Sequence, residues 1–283
     1  FERGTDRVTT DAPGFMDHEW DQVSAEANID VPFGDGVITN IFGWRQYSSA
    51  SQSDFDATTL NLLLFGEITE QEQFSNELRY SGRFFDRLNF TLGGFWFDQE
   101  LKYQETRFLF QDPSLAPAQA IGAVPGPLSF YGGGIQNHQV LGVFGQAAID
   151  LTDALTLDLG LRWSHEEKDV QLATIVPGPA SPDLWSIPAG ACNIHADDCF
   201  FNLNADPTFD PEEDWSNLSP KIGLRYSIAD NARLYGHWSR GFRSGGYNLR
   251  NTVPTASPGP FAEEQVDSFE LGFKSEPLPG AIF

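Results

Sequence analysis

Apolar and polar residues alternate with a period of two along most of the chain. Between 154 and 168, Leu155, Leu157, Leu159, Leu161 and Trp163 share one face, and Thr156, Asp158, Gly160, Arg162 and Ser164 share the other. A helix would mix the two sets, whereas a strand separates them. The same dyad runs from 22 to 31, where Val23, Ala25, Ala27, Ile29 and Val31 oppose Glu26 and Asp30. Around Phe74, Leu78 and Tyr80 the opposing face carries Glu77 and Arg79. From 216 to 228, Leu218, Ile222, Leu224, Tyr226 and Ile228 oppose Lys221 and Arg225, and after Gln265, Phe269, Leu271 and Phe273 oppose Glu270 and Lys274. Weaker versions cover 37–47, 89–101, 138–149 and 233–243. The matches predict about nine strands, most of them close to the 9–11 residues of a tilted membrane strand.

The connections alternate in length. Short ones carrying turn residues span 32–36, 82–88, 150–153, 229–232 and 276–280, and long ones span 48–72, 102–137, 169–214 and 244–264. All turns therefore fall at one end of the sheet. Compact soluble domains seldom hold even one loop beyond about 12–15 residues. Outer-membrane barrels pair short periplasmic turns with long extracellular loops.

Alternation alone does not say which face is inside, because a soluble sandwich would bury Leu155 to Trp163 and a barrel would turn them to lipid. The tryptophans favour the barrel. Trp20, Trp44, Trp96, Trp163 and Trp215, five of the seven, stand at strand ends next to long connections, where an interfacial girdle belongs. Arg240 breaks the pattern, since it shares parity with Leu234 and Trp238. Either it lies above the lipid or a bulge shifts the register there.

Composition narrows the function. Forty acidic residues against 17 basic leave a formal charge of −23, which argues against a nucleic-acid partner because phosphate neutralisation needs clustered Lys and Arg. The 27 Gly and 18 Pro remain below the roughly 25–30% of low-complexity chains. No apolar run of about 18 residues offers a helical span, and no basic-then-apolar stretch at the start offers a signal peptide.

With an antiparallel transmembrane β-barrel reached from pattern, several runs acquire a family likeness. LSPKIGLRY at 218–226, LYGHWSRGFRSGGYN at 234–248 and EEQVDSFELGFKS at 263–275, with FSNELR at 74–79 and LTLDLGLRW at 155–163, resemble barrel strands of TonB-dependent outer-membrane receptors. Residues 1–72 fit by pattern alone. The resemblance implies a larger, 22-stranded barrel closed by an N-terminal plug and energised by TonB. Neither a plug nor a TonB-gripped segment is visible, so residues 1–283 are expected to be an internal part of the barrel domain. It also implies outer-membrane localisation and capture of a scarce small molecule such as a metal chelate, with siderophore-bound iron the commonest cargo and cobalamin, haem and carbohydrate the others. The expected partners are outer-membrane lipid, lipopolysaccharide and, through the missing region, the TonB complex. A passive porin and a secreted β-rich binding module remain the alternatives.

In such a barrel Glu77, Arg79, Asp158, Arg162, Lys221, Arg225, Glu270 and Lys274 would line the lumen, pairing across strands or holding water or the plug. Arg243, Tyr247 and Asn248, at the mouth before a long loop, are the candidate ligand contacts, although Gly241, Gly245 and Gly246 also suit a plain bend in the strand. Cys192 and Cys199 are expected to form a loop disulfide. The other readings are free thiols and a metal site with His195, Asp197 and Asp198, whose spacing matches no common zinc pattern. The acidic run Asp206, Asp210, Glu212, Glu213 and Asp214 reads as a solvated stretch before it reads as a cation site. The five histidines form no metalloprotease pair, and no phosphate loop or nucleophile elbow is present. Neither enzymatic activity nor a cofactor is expected.

Overall fold

The computed structural model describes residues 10–178, 194, 209–250 and 258–276. Within them nine strands form a single antiparallel sheet: β1 (Phe15–Val31), β2 (Gly36–Asp54), β3 (Leu63–Phe84), β4 (Leu88–Leu109), β5 (Leu128–Asp150), β6 (Leu155–Gly178), β7 (Glu212–Ala229), β8 (Ala232–Arg243) and β9 (Glu264–Ser275). Each strand pairs with its sequence neighbours, so the sheet order is the chain order.

The strand count agrees with the alternation, but the lengths do not. β1 runs 17 residues and β6 runs 24, and only β8 and β9, at 12 each, approach the length expected of a membrane strand. The long connections at 48–72 and 102–137 shrink accordingly to 55–62 and 110–127, β6 and β7 take 169–178 and 212–214 out of the third, and β8 ends at Arg243 as expected. Backbone ladders do not need a hydrophobic pattern once the chain has left the level at which one face must be apolar. The stretch Ser48 to Asp54 is polar on both faces, yet it stays paired with β3 as far as Asp54 opposite Leu64. The short turns fall where the turn residues placed them, at 32–35, 85–87, 151–154 and 230–231.

Residues directly opposite one another in a ladder share a face. Leu155, Tyr226, Leu234 and Phe273 form one such row, and Leu159, Ile222, Trp238 and Phe269 another. Between them runs the row Asp158, Gly223, His237 and Glu270, on the opposite side of the sheet. The apolar side is open, with Leu78 53%, Leu161 51% and Leu271 85% exposed. A contiguous apolar face of this extent is a surface for lipid or protein, not for water. The polar side curves inward around a hollow of about 730 Å³ that reaches from Arg83 of β3 to Lys274 of β9.

The tryptophans locate the edge of the apolar band. Trp44, Trp96, Trp163 and Trp238 all lie on the apolar face, and followed through the ladders onto β4 they stand level with Asp98, Trp96, Gly94 and Phe90. The boundary therefore drifts along the strands by about 27 Å while crossing the six steps from β2 to β8, about 29 Å, at the usual rise and spacing. That corresponds to a strand tilt of about 40°, the value found in membrane barrels. Trp20 and Trp215 do not belong to the girdle: Trp20 shares the side of Gln22, and Trp215 lies opposite Glu166 on the polar side. Trp238 takes its place in the row instead.

Above these rings the apolar face turns acidic, with Glu72 opposite Glu100, Glu167 opposite Asp214 and Asp169 opposite Glu212. The Trp44 indole N–H donates to Glu72 at 2.9 Å and that of Trp238 to Asp267 at 3.1 Å, while Trp163 stacks on His165. An indole with its ring in the apolar band and its N–H on a carboxylate is suited to an interface. The same boundary explains Arg240. The β8 to β9 ladder runs unbroken from Ala232 to Arg243, so no bulge turns Arg240 inward. It lies at the rim of the apolar band, on Asp267.

Candidate ligand-binding mouth and inner wall

Strand parity brings all eight proposed wall residues to the polar face. Asp158 is held by Arg225 through two bonds, Nε to Oδ2 at 2.6 Å and Nη2 to Oδ1 at 2.8 Å. Arg79 reaches Glu77, two residues back on the same face, at 2.8 Å. Arg162 lies over the rings of Phe95 and Phe144, at 5.5 and 5.9 Å, and donates to Ser164. Glu270 accepts from the Tyr235 hydroxyl at 2.7 Å and has His237 at 3.8 Å, and the Lys274 ammonium sits 5.3 Å above the Tyr235 ring. Lys221 stands between Gly160 and Ser239.

At the open end of the sheet the β8 to β9 connection folds over this face instead of standing clear of it. Gly246 and Phe261 exchange backbone hydrogen bonds that close the loop on itself. Gly245 is required there, because a Cβ would collide with the Phe261 carbonyl. Tyr247 is buried against Val170 and Leu172 of β6, with Leu249 and Phe209 packed alongside. Burial first, then the carboxylates of Asp210 and Glu213, push its phenol above the ordinary tyrosine range. Asn248 accepts from the Arg250 backbone N–H and donates its own to Pro258, and Arg243 lies 3.9 Å from Glu264. The structure thus separates the three mouth candidates: Tyr247 is packed inside the folded connection, whereas Arg243 is exposed beside it.

Two anchors that hold this connection carry no local mark in the sequence. Lys168 donates to Ser244 at 3.0 Å and to the Gly245 carbonyl at 2.6 Å, over the face of Trp215 at 5.3 Å. Arg250 crosses to β4, where its Nε meets the fully buried Glu105 at 2.8 Å; Tyr103 and Arg107 donate to the same carboxylate. Burial first, and then the Glu105 charge, raise the Tyr103 phenol so that it remains a donor. A buried carboxylate with three donors is satisfied, which makes Glu105 a fastening point and not an open ligand site.

Among the described residues, Asp11, Asp54 and Asp56 are the carboxylates close enough to share a cation, their oxygens lying within 4.8 Å. Asp56 is already engaged with the N–H groups of Thr58, Leu62 and Leu63 and with the Thr58 hydroxyl, so the trio serves the 55–62 turn. Cys192, Cys199, His195, Asp197, Asp198 and Asp206 lie outside the described residues. Glu212, Glu213 and Asp214 of the acidic run form the start of β7.

A tilted sheet with an apolar outer face, a girdle, a charged inner face and a folded connection over one end describes the wall of a large membrane barrel. The family model "TonB dependent receptor-like, beta-barrel" matches residues 2–282, and the chain belongs to that family. Its barrels are outer-membrane proteins. Among solved structures, the ferric yersiniabactin uptake receptor FyuA from Yersinia pestis superposes with a TM-score of 0.66 at 18% identity, over 93% of this chain and 34% of the receptor. The siderophore receptor PiuA from Acinetobacter baumannii gives 0.63 at 14%, over 94% and 38%, and the ferric-catecholate import receptor Fiu from E. coli gives 0.57 at 12%, over 96% and 40%. The chain therefore spans little more than a third of the length of these receptors. No curated protein matches the sequence.

Proposed function

We propose that this chain forms part of the wall of a receptor in the bacterial outer membrane that takes up a scarce small molecule, siderophore-bound iron, with energy relayed by TonB through a region outside residues 1–283. The observation that carries the reading is the pairing of a lipid-suited outer face with a charged inner face roofed by its own β8 to β9 connection. A roofed wall suits capture better than the free passage of a porin. The printed names of the structural relatives, receptors for ferric complexes, support the cargo class. The role is transport, not catalysis.

In this reading Arg243, Tyr247 and Asn248 belong to the mouth that meets the chelate, Arg243 by direct charge and Tyr247 and Asn248 by shaping the connection. The wall residues from Glu77 to Lys274 face the enclosed space. Lipid and lipopolysaccharide cover the apolar band and the acidic belt above it. Uptake of 55Fe-loaded siderophores by cells whose sole receptor carries this barrel tests the proposal. Uptake should be saturable, abolished by a protonophore, and reduced at least tenfold by Arg243→Ala. Uptake that is linear in concentration and indifferent to the protonophore would replace this reading with a passive channel.

A further inference from the structure

The apolar face carries one polar spot. Among the described residues, the outward positions between the tryptophan line and the short turns hold no charge and only two amides, Asn40 of β2 and Asn76 of β3. Asn40 lies four residues below Trp44 on the same strand, about 10 Å below that indole at the usual rise and a tilt of about 40°. That depth is inside an apolar band about 25 Å tall. Asn76 stands opposite Trp96 and one diagonal step from Asn40.

Hydrocarbon offers an amide no partner, so each donor and acceptor must be met by protein. Asn40 Nδ2 donates to Asn76 Oδ1 at 3.0 Å and to the Glu77 carbonyl at 3.2 Å, and Asn76 Nδ2 returns a long bond to Asn40 Oδ1 at 3.4 Å. An asparagine carries two N–H groups and an oxygen with two lone pairs. Mutual pairing therefore leaves the demand incomplete: the second N–H of Asn76 has no partner among the described residues.

The surroundings leave room for a neighbour. Ala25 and Ala27 flank the amides on β1 and Gly94 on β4, while Leu78 and Trp96 rise beside them, 53% and 45% exposed. A Cβ at Gly94 would meet nothing nearer than the Gly142 carbonyl at 3.8 Å. Small residues beside polar ones let membrane helices approach closely and hydrogen-bond to one another. The same physics holds for strands, because it needs only close approach and the absence of water. An amide is both donor and acceptor, hence complementary to itself. A second copy related by a two-fold axis along the membrane normal stands upright in the same bilayer and presents its own amides at the same depth. Any other protein would need a polar group placed independently at that level.

We propose that Asn40 and Asn76 mark the centre of a contact between two copies of this barrel within the membrane, in which the spare N–H of Asn76 in each copy donates to an amide oxygen of the other. The inference goes beyond uptake, and it rests on the reading that the apolar face meets lipid.

The test uses the complete receptor that contains this chain, labelled through a terminal tag with donor or acceptor dyes and reconstituted in phosphatidylcholine vesicles. Förster transfer is followed as lipid dilutes the protein. Transfer is expected to saturate as for a dimer, and Asn40→Leu/Asn76→Leu should need at least tenfold more protein per lipid, with heat-dependent gel mobility showing that the barrel is folded. If the double variant fails to fold, Gly94→Leu, which keeps both amides and fills the space beside them, should shift the curve at least threefold. Transfer no greater than random collision in the wild type, or unchanged in the folded variants, overturns the proposal. So does a receptor that is monomeric in vesicles but, as Ala27→Cys in native membranes, crosslinks to a different protein, which would favour an unlike partner. Nitroxide labels at Leu159 and Gly160 in bilayers report the orientation separately, so a monomer whose Leu159 label meets lipid sinks this inference and leaves the receptor reading standing.

Discussion

Arg240 clasps Asp267 across the β8 to β9 ladder through two parallel hydrogen bonds, Nε to Oδ1 at 3.0 Å and Nη2 to Oδ2 at 2.8 Å, on the apolar side of the sheet. Trp238 adds its indole N–H to the same carboxylate. A guanidinium at the rim of an apolar band is tolerable because its charge is matched in geometry and sign. Asp267→Ala should therefore lower the apparent Tm in detergent more than Arg240→Ala does, since it strands the arginine, and the double variant should recover part of the loss. Heat-dependent gel mobility measures all three. Additive losses would show that the two residues act independently.

The β3 to β4 hairpin turns through Phe85 and Asp86, with φ of 54° and 55°. Two consecutive left-handed residues make a turn of the kind that favours Asn and Gly, and each non-glycine residue there costs about 1–2 kcal/mol. Phe85 is also 90% exposed, so its ring contributes little packing. Phe85→Asn with Asp86→Gly should stabilise the hairpin by about 1 kcal/mol, seen as slower unfolding in urea. A faster rate would mean that the Phe85 ring has a partner in the assembled protein.

How far such features could be read in advance depends on whether the physics is local. The faces of β6 were legible because Leu155 to Trp163 alternate without interruption and a strand offers no other way to sort them. Trp20 and Trp215 were misplaced for a simpler reason: nearness to a strand end says nothing about the face. Parity carried two residues back from Gln22 and Asn217 would have put both indoles on the polar side. The strand extensions were hidden because polar ladders such as 48–54 are held mainly by backbone bonds, which leave no hydrophobic pattern. The Arg250 to Glu105 contact joins residues 145 positions apart, and neither residue's neighbours announce it. Arg240 was legible as an anomaly, but its explanation needed the partner strand.

The 55–62 connection is organised chiefly by Asp56, with Asp54 and Asp112 accepting further backbone N–H bonds from it. Desolvation by itself pushes this carboxyl up, but hydrogen bonds from Thr58, Leu63 and Leu62 outweigh it, so the group titrates below the ordinary aspartate value of 3.8. A depressed folded pKa contributes stability that is present above the unfolded value and is lost as pH falls through the folded one. The turn should consequently stay ordered at pH 5 and open only below about pH 4, the unfolded aspartate value. Hydrogen exchange at the amides of Thr58, Leu62 and Leu63 would follow it. Asp56→Ala should expose the same amides at neutral pH, and protection that is lost between pH 7 and 5 would contradict the assignment.

Glu105 fastens the β8 to β9 connection to β4, and its three donors differ in what they hold. Tyr103 and Arg107 belong to its own strand, so only Arg250 transmits the fastening across the mouth. A charge-assisted bond of this kind contributes about 1.5–3 kcal/mol, less where the arginine is half exposed as here. Arg250→Ala should raise protease cleavage within the connection by about tenfold, the lower end of that range, without changing global unfolding. Glu105→Gln should do the same and also loosen β4, because Arg107 then loses its charged partner. Equal cleavage in wild type and Arg250→Ala would place the hold in Lys168 and Tyr247 instead.

Orientation can be tested at two adjacent positions on β6. Leu159 belongs to the row of Ile222, Trp238 and Phe269, and Gly160 lies opposite Lys221. A Cβ at Gly160 would make only an ordinary contact with Lys221, at 3.5 Å, so a cysteine fits there without displacing the wall. The strand period of two then demands opposite environments one residue apart. In bilayers a nitroxide at position 159 should be relaxed by dissolved oxygen, and one at 160 by a water-soluble nickel chelate. A soluble β-sandwich would differ at 159 and not at 160, because its leucines would pack inward, out of reach of either reagent, while its lysines would still face water. The tryptophan rows make the same demand independently: their drift of about one residue per strand follows from tilted strands crossing a flat boundary, and a sandwich core has no flat boundary to cross.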